Sequence, residues 1–176
     1  MKLRLAAFFA VCLFVLAVPC LAQHSDPLND KEIDALRDTN QEPEKRMKLI
    51  VKFARARLDS LDPAKADTKL SADDRMQKLH DLLQDFLSIY DELGDNLDMF
   101  RERRSDLRKA LHEVIQGDGE FQARLEKVRR ELTPDEQKDC EFVLNNAQEA
   151  VHSGMTEHKQ LLAAEDEAFA SKGKKK

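Results

Sequence analysis

The chain has 176 residues, a formal charge of −5, 36% charged and 41% hydrophobic residues, five glycines, five prolines and no tryptophan. So few helix breakers with so much charge imply helices with wet outer faces, and the mildly acidic balance argues against a general nucleic-acid binder.

The first residues stand apart from the fold. Met1-Lys2-Leu3-Arg4 is a short positive start, and Leu5 to Ala22 is almost wholly apolar, broken only by Pro19. Cys20-Leu21-Ala22 closes the run with small residues at its first and third places, and the turn-forming QHSDP follows. This is the pattern of a secretory signal over residues 1–22, cut before Gln23 and sending the protein to the periplasm or the extracellular space. An uncleaved anchor is the alternative, since eighteen residues nearly span a bilayer. A lipid anchor at Cys20 is disfavoured by Pro19 before it. Cleavage leaves 154 residues, enough for one domain with a modest core. Losing Lys2 and Arg4 moves the charge from −5 to −7. Cys12 and Cys20 leave as well, so the mature chain keeps only Cys140 and has no internal disulfide. A free thiol or a cross-chain bridge would remain, but Cys140 falls on an apolar helix stripe, where cysteine acts as a small apolar residue.

Residues 23–42 read as an N-terminal segment with one short helix. Asn29 caps it, Glu32 closes a capping box, Leu28 and Ile33 suit a hydrophobic staple, and the helix runs to about Asp38. Residues 43–169 read as a helical, coiled-coil-like domain. Pro43 opens a second helix to about Leu61. DPAKADTK is a polar connection. Ser71 caps a third helix, with Asp73 and Asp74 in its first turn. TPDE opens the last helix, with Thr133 as cap and Glu136 closing the box; it fades after Phe169, leaving 170–176 as a frayed basic tail.

From residue 79 apolar residues recur every seven: Leu79, Phe86, Leu93, Phe100, Leu107, Val114, Phe121 and Val128. Four places after each stand Leu83, Tyr90, Leu97, Arg104, Leu111, Asp118, Leu125 and Leu132. So long a heptad seam, in phase across Gly94 and Gly117-Asp118-Gly119, predicts one helix over about 71–132, roughly 90 Å long. The expected fold is all-α, an elongated antiparallel bundle or coiled coil around that helix. The alternative is a compact four-helix bundle with a turn at 117–119. The second helix carries Met47, Ile50, Val51, Ala54, Leu58 and Leu61 on one stripe, and Leu49, Phe53 and Ala56 on another, which suits burial against two neighbours. Its basic residues suit the acidic first half of the long helix. In the last helix, Cys140, Leu144, Ala147, Val151, Met155, His158 and Leu162 form a stripe for the second half.

No catalytic constellation emerges. Glu149 and His152 have the Glu-x-x-His spacing of di-iron bundles, but as a single copy. Cys140 and His158 are about 27 Å apart along one helix, too far for a nucleophile and its base. Covalent haem and phosphate-loop motifs are missing. The expectation is a non-enzyme with no metal, cofactor or small-molecule substrate. The most unusual surface feature is RERRSDLRK, where Arg101, Arg103, Arg104, Arg108 and Lys109 crowd together as a candidate partner-binding patch. Arg104 also holds a seam position, where it would fix register against a glutamate of the last helix.

Leu132 to Gln137, LTPDEQ, resembles the Leu-Thr-x-x-Gln signature of small periplasmic helical chaperones of the Spy type. Here the glutamine comes one place later, and there is one copy. The resemblance implies an exported all-helical protein that binds unfolded clients on a cradle-like dimer. The primary expectation is an exported, non-enzymatic protein acting by protein–protein interaction or self-association, in an envelope structural or scaffold role. A periplasmic chaperone or stress-response binder is the alternative. Nucleic acid is not an expected partner, and membrane contact is left open.

Overall fold

A computed structural model describes residues 26–173, with side chains to Ser171. The expected signal segment, its expected cleavage site and the last three lysines lie outside the described residues. Within them every regular element is an α-helix: α1 (Asp30–Arg37), α2 (Pro43–Asp59), α3 (Leu61–Ala66), α4 (Ala72–Glu102), α5 (Arg108–Glu131) and α6 (Pro134–Gly173).

Local chemistry sets most boundaries. Asn29 Oδ1 accepts from the backbone N–H of Lys31 and Glu32, and Glu32 accepts from the Asn29 N–H, which completes the capping box of α1. Pro43 supplies the first turn of α2. Ser71 Oγ accepts from the Asp74 N–H at the start of α4, with Asp73 and Asp74 against the positive end. Thr133 and Glu136 exchange capping bonds at the head of α6. Gln137 follows and donates to the carbonyls of Arg129 and Leu132, closing the end of α5. Every polar residue of LTPDEQ except Asp135 therefore has a bond at the α5–α6 corner.

Four helices share one core. α2 packs on α4 and α5, and α6 packs on the same two from the opposite side. Arg57 reaches Asp85 and Arg46 reaches Glu92, so α2 and α4 are antiparallel. Arg129 bonds Asn145 and Arg108 covers Phe169, so α5 and α6 are antiparallel. α4 and α5 face each other across the diagonal, where the Phe86 and Phe121 rings meet edge to face at 5.2 Å.

Two expectations fail here. The unbroken helix over 71–132 is two helices, and the chain reverses between them at residues 103–107. The alternative turn at 117–119 does not form either, because α5 runs through Gly117-Asp118-Gly119. The reversal falls on Arg104, whose φ of 58° is the only positive value among the described non-glycine residues. Ser105 N–H bonds the Phe100 carbonyl and Arg104 N–H the Arg101 carbonyl, a Schellman closure with arginine where glycine is usual. Every seam position except Arg104 is buried. The heptad phase survives the corner because both helices present their stripes to the same core.

Smaller differences have local causes. The connection after α2 contains α3, because Leu61 and Ala64 lie three apart and both bury, and Pro63 is tolerated in a first turn. α6 continues past Phe169 to Gly173.

Candidate functional site

The polar chemistry of the core converges on Asp118. Its carboxylate is 0% exposed, in the middle of α5. Tyr90 of α4 donates its hydroxyl to Oδ1 at 2.8 Å, and His158 of α6 meets Oδ2 through Nδ1 at 2.8 Å. Burial first, and the Asp118 charge second, raise the Tyr90 hydroxyl far above its ordinary pKa, so it stays a donor. Gly154 makes the arrangement possible: a Cβ there would lie 2.2 Å from the Tyr90 hydroxyl oxygen. Three helices are thus joined through one carboxylate.

Sequence reading places Tyr90 and Asp118 on the seam and His158 on the α6 stripe, but does not join them. In one straight helix Tyr90 and Asp118 would stand about 42 Å apart; the corner at Arg104 brings them into contact. The available signal was three polar side chains at positions otherwise filled by Leu, Val and Phe. Tyr90, Asp118 and His158 are all buried side chains of the core. The triad ties α4, α5 and α6 together from inside the core.

The predicted basic patch is gathered at the α4–α5 corner, and much of its charge is committed. Arg101 pairs with Asp98 at 2.9 Å, and Arg108 takes Asp106 through two nitrogens. Those bonds hold the exposed Asp106 carboxyl down at about 2. Lys109 sits 3.9 Å from Glu44, while Arg103 donates to the Asn40 carbonyl and lies over Phe100. Arg104 has no carboxylate partner among the described residues, so the expected pairing with a glutamate of the last helix does not form. Arg101, Arg104 and Arg108 line one open depression of about 440 Å³ with Ser105, Asp106, Glu165 and Phe169. Arg103 and Lys109 are outside it.

The remaining candidates do not form sites. Glu149 and His152 are both exposed on α6, not inward. Among the described residues no three His, Cys, Asp or Glu side chains gather as metal ligands. Cys140 is buried with its sulfur 3.7 Å from that of Met76, and burial pushes its thiol up to about 11, away from the reactive thiolate. No described helix is long and apolar enough to cross a membrane. Comparison of the chain with family models, curated proteins and solved structures returned no match.

Proposed function

We propose that the protein is an exported, non-enzymatic helical component of the cell envelope that works through protein–protein contacts. The observation that carries this reading is the enclosure of the Tyr90–Asp118–His158 triad. The side chains best suited to proton chemistry are buried and bonded to one another, Tyr90 and His158 each to one oxygen of Asp118. What faces outward is charged helix surface with two large exposed rings, Phe142 and Phe169, and aromatic residues are enriched where proteins meet. Export rests on the apolar run from Leu5 to Ala22 behind Lys2 and Arg4.

The test is made in cells. N-terminal sequencing of the mature protein is expected to begin at Gln23. Site-specific photo-crosslinking from exposed positions such as Glu149 and Glu102 is expected to give discrete protein adducts. Retention of the uncleaved chain, or monomer at every crosslinking position, would reject the reading. The chaperone alternative is separated by aggregation assays. Suppression of an unfolded client's aggregation at equimolar protein would favour it; the scaffold reading expects none.

A further inference from the structure

We propose that the α4–α5 corner receives a carboxylate from an acidic partner segment, with Arg104 as the receiving group and Phe169 as the seat for a neighbouring apolar side chain. The inference rests on the protein-contact reading and narrows it to one surface. Arg104 sits in the left-handed region at φ 58°, where glycine is favoured and a side chain is strained. Its guanidinium has no hydrogen bond or ion pair among the described residues. Its neighbours are already engaged, Arg101 with Asp98 and Arg108 with Asp106. Arg104 is therefore the unpaired arginine among the described residues of the depression, and a guanidinium takes a carboxylate through two parallel bonds. Phe169 is exposed, a large apolar ring at the rim, and the Arg108 guanidinium lies 3.5 Å over it. That contact stiffens an apolar platform beside the free cation.

The lining also indicates the class of partner. Arg101, Arg104 and Arg108 face Asp106 and Glu165, so the depression is close to neutral. A polyanion or an anionic membrane binds through a strong field of one sign, which this surface lacks. A single carboxylate beside an apolar residue, held by directed bonds, suits it better.

The test uses the mature chain and a fluorescent nonapeptide of alternating Glu and Leu, read by anisotropy. The same peptide with Gln for Glu and vesicles of phosphatidylglycerol serve as comparisons. The Glu peptide is expected to bind about tenfold tighter than the Gln peptide, the scale of one lost charged hydrogen-bond pair. Arg104→Gly is expected to remove that preference while its melting temperature stays level or rises, since glycine relieves the backbone. Phe169→Ala is expected to weaken both peptides. Equal binding of the two peptides, an unchanged preference in Arg104→Gly, or binding to vesicles alone would overturn the proposal. If those results came with crosslinked partners in cells that survive Arg104→Gly, the corner assignment would fail and the protein-contact reading would stand.

Discussion

Asp118 shows at the scale of one residue how a buried charge-bearing group sets conditions on its neighbours. Its two oxygens are matched by one donor from α4 and one ring nitrogen from α6. Tyr90→Phe keeps the ring packed on Phe86 and Phe121 but takes a donor from a buried oxygen, so it is expected to cost about 1–3 kcal/mol in urea unfolding. Asp118→Ala strips the acceptor from two buried partners and opens a small void. It should cost about 3 kcal/mol or more. A second, partly buried pair ties α1 down: Arg57 donates to both oxygens of Glu32 at 2.8 and 2.6 Å. The Arg57 bonds hold the Glu32 carboxyl below its usual range. A lowered folded value means the contribution is present above the ordinary Glu pKa and is lost as pH falls through the folded one. Thermal melts from pH 6 down to 3 should therefore show a steeper acid loss in the native protein than in Glu32→Gln, whose curve is expected to be lower and flatter.

At the scale of elements, helix starts were legible and helix interruption was not. Asn29, Ser71 and Thr133 announce their helices because a capping bond is made within three residues. The α4–α5 corner carries neither proline nor glycine, so it lacked the usual punctuation. Its one trace was Arg104, the lone charged cation on the seam. Conversely, the glycines that invited a break lie inside helices and serve different ends. A Cβ on Gly94 or Gly119 would meet nothing within 4 Å, whereas one on Gly117 would lie 2.9 Å from a methyl of Val51. Gly94→Ala and Gly119→Ala are expected to stabilise by about 0.5–1 kcal/mol each. Gly117→Ala and Gly154→Ala are expected to destabilise, the first because Val51 is stiff and the second by pushing Tyr90 off Asp118. Four melting curves decide this. A gain at Gly154 would contradict the close approach of α6 to Tyr90.

For the whole molecule, the decisive feature is that α2, α4, α5 and α6 share a single set of buried side chains. No described pair of these helices holds a core of its own, which predicts one cooperative transition. Tyr90 is the only tyrosine and there is no tryptophan, so its near-ultraviolet signal reports the centre of the core alone. The urea transitions followed by that signal and by far-ultraviolet circular dichroism are expected to coincide. A midpoint for Tyr90 clearly below that of the helices would mean that the triad opens independently.

The sequence alone determined the all-helical class, the starts of α1, α2, α4 and α6, and nearly the whole set of buried seam positions. Each depends on bonds or periodicities a few residues long, which the order of side chains writes directly. Tertiary structure decided where the chain turns and therefore which residues meet. A seven-residue rhythm fixes the face a side chain occupies, not the direction its helix takes after a five-residue corner. Tyr90, Asp118 and His158 are 28 and 40 positions apart along the chain. Only the packing of three helices around one core makes them a unit.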